Sequence, residues 1–167
     1  MLHNKVSISL FLVCVQMMKC ILFGRNNFKI YVLRPHAFNK AGQIVQDIID
    51  AGFLVTGLET FRLDFGKSDE FLEVYKGVAD NYGDMVKQLS SGPCVALQLV
   101  EETDNHHNIV STFRQFCGPT DPRTAKLLRP NTLRARYGED KARNAVHCTD
   151  LSEDGVLEVE YFFKILQ

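Results

Sequence analysis

NAVHCTD, residues 144 to 150, is the stretch around which the rest of the chain is organised. A short run predicted as a strand, residues 144 to 146, delivers the imidazole of His147 to a turn, because Thr149 and Asp150 are turn and helix-cap residues. This pattern places a titratable nucleophile at the end of a strand, just before a helix.

The charges on either side of His147 favour a phosphorylated ligand. Residues 114–143 contain eight basic side chains against three acidic ones, and residues 150–160 contain five acids and no base. If both segments converge on the imidazole, cations hold a polyanion while a carboxylate orients the ring, and phosphoryl transfer needs these parts. The alternative is an ordinary, partly buried histidine beside a solvated basic loop.

The composition predicts one compact, soluble domain. The chain has 167 residues, of which 46% are hydrophobic and 23% charged, and its formal net charge is -1. This balance argues against general affinity for nucleic acids or membranes, so we expect a small anionic ligand. Five cysteines without a CxxC pair are typical of a reduced intracellular protein and argue against a structural zinc site.

The N-terminal stretch 6–23 is almost continuously apolar after a weakly basic start. Such a run resembles a signal-peptide core or a short membrane anchor, but Gln16 and Lys19 interrupt it. The other interpretations are an added strand or helix on the domain surface and a truncated or misjoined start. We therefore treat residues 1–27 as an apolar extension of uncertain role and expect the domain to comprise residues 28–167.

Hydrophobic periodicity predicts three strands before the one at His147, over residues 28–35, 53–64 and 94–100. A helix capped by Asn39 and ended by Gly52 joins the first two. The order β-α-β, helical hairpin, β-α-β-α predicts an α+β fold: a ferredoxin-like β-α-β-β-α-β sheet with helices on one face, plus the hairpin and a C-terminal helix.

Several side chains lie where these elements begin or end. The first strand delivers Arg34 and His36 to its C-terminal end, and the helix after the third strand carries Arg114 away from its buried face. Tyr75 is predicted as a core residue, with a polar-tipped cleft wall as the alternative. His106 and its neighbour His107 are interpreted as solvated rather than metal-binding.

The last helix is predicted to bury one apolar side and to carry a single site residue. Val156, Val159, Phe163 and Leu166 lie along this side, with Phe162 and Ile165 beside it. Glu158 falls two turns inside the strand-to-helix corner, where it points back toward His147.

Five short motifs occur in the order and at the spacing found in the nucleoside diphosphate kinases. They are Arg34–Ala37, Ser91–Pro93, Gly118–Pro122, Thr132–Arg134, and Asn144–His147 with Asp150. The chain resembles this family from about Phe28 to Gln167. Two features are most similar to the divergent branch of the family found in cilia and flagella. They are the extra residues between Thr120 and Thr132 and the sequence segments GPTDP, RPNTLRARYG and NAVHCTDL.

The resemblance implies a ping-pong transfer of the terminal phosphate from a nucleoside triphosphate to a nucleoside diphosphate through a phosphohistidine. By motif position His147 is the nucleophile and Glu158 fixes its tautomer. The implied nucleotide-binding residues are Arg34 and Tyr75, the phosphate-holding Arg114 and Arg134, the hydroxyl donor Thr120, and the ribose-contacting Asn144.

The resemblance also implies a cofactor, partners and a location. Magnesium is expected bound to the nucleotide phosphates, without a protein metal site. The expected partners are nucleoside di- and triphosphates, further copies of the chain in a homo-oligomer, and axonemal or microtubule-associated proteins. The expected location is the cytoplasm, including the axoneme of a cilium or flagellum or the centrosome.

Three departures from the family motifs point to reduced activity. The family's phosphate-binding lysine is Arg34, its Gly-Ser after the histidine is Cys148-Thr149, and the glycine of its Pro-Gly-Thr turn is Asn131. A wide guanidinium in place of a compact ammonium shifts the bound phosphate.

The alternative function is a weakly active or inactive nucleotide-binding component of cilia, flagella or microtubule assemblies. A third possible function is that of a histidine phosphocarrier within a longer chain. Tyr82 is the candidate for stacking on the base.

Overall fold

The computed structural model describes residues 29–100, 109–150 and 154–167. Four strands form one antiparallel sheet in the order β2-β3-β1-β4. The strands are β1 Lys29–Leu33, β2 Leu54–Arg62, β3 Pro93–Val100 and β4 Val146–Cys148. The sheet and its connections confirm the predicted α+β, ferredoxin-like fold.

Seven α-helices lie within the described ranges. They are α1 Ala41–Asp50, α2 Phe65–Phe71, α3 Tyr82–Leu89, α4 Ile109–Cys117, α5 Pro122–Leu128, α6 Leu133–Tyr137 and α7 Asp154–Glu160. Short 3-10 helices span Pro35–Lys40 and Glu73–Tyr75, and α7 continues into a π-helix at Tyr161–Ile165. Helices α2 and α3 form the predicted hairpin between β2 and β3.

Strand β1 is buried throughout because helices cover both faces of the sheet. Tyr31 and Leu33 face one core cluster, and Ile30 and Val32 face the other. The first cluster contains Ile44 and Ile48 of α1, Ile109 and Phe113 of α4, and Leu133 of α6. The second contains Leu72, Val86, Leu89 and Phe162 from the hairpin and the C-terminal segment. The crossover helices therefore lie on one face, as predicted, and the added elements cover the other.

The predicted cap at Asn39 is wrong. Asn39 lies inside the 3-10 helix that Pro35 begins, and Lys40 precedes α1 without a side-chain cap. Proline has the fixed backbone angle that the first helical position needs, so the turn starts earlier than the cap pattern indicates. Gly52 does end the segment, with a φ of +89°.

The C-terminal helix buries most of the side that was predicted. Val159, Phe163 and Leu166 pack against the second core cluster, whereas Val156 is 37% exposed. Phe162 is the fully buried residue of this segment. The amide of Leu166 donates to the carbonyl of Tyr161, five residues back, at 3.0 Å, and a π-helix of this kind has more residues per turn than the 3.6 of an α-helix.

Some predictions fall outside the described residues. These are the apolar stretch 6–23 and the His106-His107 pair. Among the helices that the structure does describe, none has the length and apolar character needed to cross a bilayer.

Candidate functional site

His147 lies in the middle of β4, whereas the sequence predicted it beyond the strand end. It pairs with Val32 of β1, and its side chain is only 5% exposed. Since side chains alternate across a strand, His147 faces away from the core cluster that contains its neighbour Cys148. The centroids of the Phe71 and Tyr75 rings lie 5.0 Å and 6.2 Å from that of the imidazole. These two rings cover the histidine.

The structure brings His147 and Glu158 together. Nε2 of the imidazole lies 3.0 Å from Oε1 of Glu158. The buried hydroxyl of Thr149 lies 2.6 Å from Oε2 of the same carboxylate and 3.0 Å from the carbonyl oxygen of Ile30. An ionised carboxylate only accepts hydrogen bonds, so Nε2 carries the hydrogen and Nδ1 of the neutral ring keeps its lone pair.

A tight turn at Ala145 precedes β4. Ala145 has a φ of 71°, and the amide of Val146 donates to the carbonyl of Asn144 at 2.9 Å. This is a γ-turn, a strained conformation for an alanine, and the strand predicted to start at Asn144 therefore starts two residues later. The carbonyl of Ala145 accepts from the Arg34 amide at 2.9 Å, which joins the end of β1 to the start of β4. Asn131 does not share this conformation, because Ala145 is the only described non-glycine residue with a positive φ.

Arg34 is a buried cation. Its side chain is 3% exposed, its Nη1 donates to Oε1 of Gln88 at 3.4 Å, and its Nε has no partner among the described residues. Burial lowers the pKa of the guanidinium to about 10, and the positive charge of Arg134 contributes to the decrease. A buried guanidinium with an unpaired donor suits an anionic ligand.

Arg134 holds the residues on both sides of His147. Its guanidinium donates to the carbonyl of Val146 at 3.0 Å, to the carbonyl of Gly118 at 2.9 Å and to Sγ of Cys148 at 3.4 Å. A hydrogen bond from the Cys117 thiol and the charge of Arg134 together lower the pKa of Cys148 to about 6, against the effect of burial. The phosphate-holding role of Arg134 stays a prediction, since these contacts are all to protein.

Arg114 and Tyr75 meet at one carboxylate. Arg114 forms an ion pair with Asp150 through Nη1, which also donates to the Asp150 carbonyl at 3.1 Å, and the Tyr75 hydroxyl donates to the other carboxylate oxygen. Burial and this hydrogen bond raise the pKa of Tyr75 above its usual range. Tyr75 is half-buried, and its polar tip at Asp150 matches the cleft-wall alternative better than the core prediction.

Asn144 and Thr120 also lie together. The Nδ2 of Asn144 donates to the carbonyl of Thr120 at 3.4 Å, while the Asn144 Oδ1 is buried and without a partner in the described part of the chain. Thr120 itself is exposed. An unpaired amide oxygen here fits a hydroxyl-bearing ligand.

A cleft of about 640 Å³ lies between α3, the start of α5 and the loop before β4. Gln88 lines the cleft and also contacts Arg34, which is not itself one of the lining residues. Tyr82 directs its hydroxyl to Oδ1 of Asp69 at 2.7 Å, and the neighbouring Asn81 lines the cleft instead. Within the described ranges, no three His, Cys, Asp or Glu side chains form a group that could hold a metal ion.

Comparison with known proteins assigns the chain to a family. Residues 28–167 match the family model described as nucleoside diphosphate kinase. The chain belongs to the nucleoside diphosphate kinase family. Nucleoside diphosphate kinase homolog 7 of Rattus norvegicus is 51% identical over 137 residues, which are 81% of this chain and 33% of that protein. The chain thus spans about a third of the length of this relative and of its mouse counterpart.

Single-domain members of the nucleoside diphosphate kinase family match over nearly their whole length. The nucleoside diphosphate kinase of Aquifex aeolicus is 33% identical over 138 residues, covering 81% of this chain and 93% of that protein. Its crystal structure superposes with a TM-score of 0.74 at 31% identity, covering 83% of this chain and 95% of that one. Both the sequence and the fold therefore agree with the family predicted from the motifs.

The nucleoside diphosphate kinase motifs do not point to every residue at the site. Gln88 lies on an amphipathic helix and reaches Arg34 from 54 positions away, so no local pattern indicates it. Thr149 was interpreted as a turn residue, yet its hydroxyl is buried against Glu158. Phe71, whose ring lies over the imidazole, belongs to none of the five motifs. The position of Thr149 within the NAVHCTD motif is the one available signal.

Proposed function

We propose that this nucleoside diphosphate kinase family chain transfers the terminal phosphate of a nucleoside triphosphate to a nucleoside diphosphate through a phosphohistidine at His147. The observation that carries the proposal is the 3.0 Å contact between Nε2 of His147 and Glu158. This contact leaves Nδ1 as the nucleophile and supplies a carboxylate to balance the charge that forms on the ring.

In the first half-reaction, the Nδ1 lone pair attacks the terminal phosphorus. The phosphorus–nitrogen bond forms while the bond from phosphorus to the bridging oxygen breaks, and the nucleoside diphosphate leaves with that electron pair. The proton on Nε2 stays in place, and Glu158 stabilises the positive phosphoimidazole. In the second half-reaction, a terminal oxygen of another nucleoside diphosphate attacks the same phosphorus and the imidazole leaves.

The surrounding residues would hold the nucleotide. Arg34 offers its uncompensated charge to the phosphates, and Asn144 offers its unpaired Oδ1 to a ribose hydroxyl. Arg114 is 45% exposed and its partner Asp150 41% exposed. Exposed ion pairs contribute little to stability, so a phosphate can compete for this arginine. Arg134 and Thr120 complete the proposed set, and magnesium bound to the nucleotide would screen the charge of its phosphates.

Incubation of the full 167-residue chain with ATP labelled at the terminal phosphate tests the proposal. We expect label on the protein that is stable to base and lost in acid, and that moves to GDP added afterwards. The label should be absent in His147→Gln, whose circular dichroism and melting temperature serve as the folding control. Label that persists in His147→Gln, or that resists acid, contradicts the proposal.

The second candidate is a nucleotide-binding component with little or no turnover. It is favoured by the cover of Phe71 and Tyr75 over an imidazole that is 5% exposed, and by the commitment of the Arg134 guanidinium to protein acceptors. The location in cilia, flagella or microtubule assemblies belongs to this candidate. Binding of ATP without labelling, together with cosedimentation with axonemes, would support it over the kinase.

A further inference from the structure

Gln88 lies between two residues of the Arg34-Pro35-His36 turn. Its Oε1 accepts from Nη1 of Arg34 at 3.4 Å, and its Nε2 lies 3.2 Å from Nδ1 of His36. Gln88 is 8% exposed and comes from α3, which packs against this turn. One amide therefore bridges a buried cation and a half-buried imidazole.

The partners of Gln88 determine the orientation of every group in the bridge. A guanidinium only donates, so the oxygen of the amide must face Arg34. The amide nitrogen then faces His36 and donates, which requires an unprotonated Nδ1. His36 is therefore neutral, with its hydrogen on Nε2, an atom that has no partner among the described residues.

The bridge holds Arg34 without neutralising it. The described contacts of its side chain include the Gln88 amide and no carboxylate, and Gln88 also lines the cleft. A neutral acceptor fixes one end of the guanidinium while its charge and its Nε remain available to a ligand.

We infer that Gln88 is a positioning residue that aims the Arg34 guanidinium at the phosphates of a bound nucleotide, with His36 fixing the orientation of the Gln88 amide. The inference rests on the proposed function in one respect, since it takes nucleotide phosphates as the ligand of Arg34. It does not require that the phosphate is transferred.

A double-mutant cycle tests the coupling between Gln88 and Arg34. The probe is magnesium with adenylyl imidodiphosphate, a triphosphate analogue that is not transferred, titrated by calorimetry into the full chain. We expect Gln88→Leu to weaken binding by about tenfold, the size of one hydrogen bond to a charged group. In an Arg34→Met background the same change should weaken binding less than about twofold. An equal loss in both backgrounds overturns the inference.

Two further variants complete the cycle. Gln88→Glu keeps the shape of the side chain but gives Arg34 a carboxylate partner, so its loss of affinity should be at least as large as that of Gln88→Leu. If Gln88→Leu does not fold, Gln88→Glu serves as the test variant in its place. Gln43→Leu makes the same chemical change on the exposed side of α1 and should bind like the wild type. Wild-type affinity in Gln88→Glu overturns the inference.

The pH dependence of binding gives a readout that a structural role for Gln88 would not move. Protonated His36 donates from both nitrogens, so the amide must turn and present its own donor to Arg34. Burial lowers the pKa of His36, Glu139 and Asp140 raise it, and Arg34 and Arg143 lower it. From about pH 8 to about pH 5.5, affinity should fall more in the wild type than in His36→Asn, whose amide does not titrate. Identical profiles overturn the role of His36.

The outcomes separate this inference from the proposed function. Coupled binding without phosphohistidine in the wild type refutes the kinase reaction and supports the role of Gln88. Phosphohistidine without coupling between Gln88 and Arg34 supports the kinase reaction and refutes the role of Gln88. A wild-type chain that does not bind the analogue refutes both.

Discussion

Glu158 holds the imidazole of His147 through Nε2, with 3.0 Å between that nitrogen and its Oε1. The other oxygen of the carboxylate is held by Thr149 at 2.6 Å. Both oxygens have a partner, so the orientation of the carboxylate, and with it the tautomer of the ring, is set from two sides.

Glu158→Gln should slow phosphohistidine formation by about 10- to 100-fold, the usual cost of losing a group that orients a functional histidine. An amide oxygen still accepts from Nε2 but does not balance the positive charge of the phosphorylated ring. The rate of labelling from ATP measures the effect. Glu160→Gln, on the same helix and in an exposed ion pair with Lys164, is the matched control. Equal rates in both variants would remove Glu158 from the mechanism.

Thr149→Val should lower both the free energy of unfolding and the rate of labelling. Valine has the shape of threonine but removes the single hydroxyl hydrogen that the Glu158 oxygen and the Ile30 carbonyl share, which costs about 1–3 kcal/mol. Urea unfolding measures the stability. Thr149→Ser keeps the hydroxyl and should retain most of both quantities. A valine variant as stable as the wild type would show that the hydroxyl is dispensable.

Arg34→Met should stabilise the fold while it weakens nucleotide binding. Burial lowers the pKa of Arg34 to about 10, so the charged form costs the folded state on the order of 3 kcal/mol at neutral pH. This cost is present below about pH 10 and decreases as the pH rises through that value. Thermal unfolding at pH 8 should give a higher melting temperature for Arg34→Met. Arg34→Lys keeps a cation and should keep nucleotide binding. A methionine variant less stable than the wild type would refute the conclusion that the buried charge destabilises the fold.

Cys148→Ser should lose stability in a pH-dependent way. The pKa of Cys148 is about 6 in the folded protein, against 9.0 for an unperturbed cysteine, so its ionisation stabilises the folded state fully above about pH 9. This contribution decreases as the pH falls and is lost at about pH 6. The pKa of Cys117 is raised by burial, so that thiol stays protonated across this range. The difference in free energy of unfolding between wild type and variant should therefore grow from pH 6 to pH 9. A constant difference would show that Cys148 is a neutral thiol.

Ala145→Val and Ala145→Gly should differ sharply. Ala145 is fully buried with a φ of 71°, so a β-branched side chain is both strained and too large and should cost about 3 kcal/mol or more. Glycine relieves the strain but loses a buried methyl group, and the net change should be under about 1 kcal/mol. Urea unfolding of the two variants checks this. Equal stabilities would mean that the turn rearranges.

Local patterns predicted the parts of the fold that local forces determine. The apolar run of β3 and the buried face of α4 lie where the periodicity predicted them, because the apolar side chains of both elements are buried by packing against the core. In the C-terminal helix, Val159, Phe163 and Leu166 pack against the core as predicted, but Val156 is 37% exposed and Phe162 is the fully buried residue. The π-helix that begins at Tyr161 changes the helical period, and the spacing of apolar residues does not indicate that change.

The site shows the same division. The family resemblance indicated Arg34, Glu158 and Asn144, and the structure places all three in one region. Gln88 and the hydroxyl of Thr149 were missed because their roles depend on partners that are distant in sequence. The local sequence does not indicate whether a polar side chain on an amphipathic helix or in a turn is buried.

Arg34 serves the protein twice, once through its main-chain amide at the Ala145 turn and once through its side chain at Gln88. The two duties are chemically independent, because every amino acid except proline supplies the same amide. Any substitution at position 34 other than proline should therefore keep the main-chain hydrogen bond that joins the first and last strands, whatever it does to the binding of a ligand.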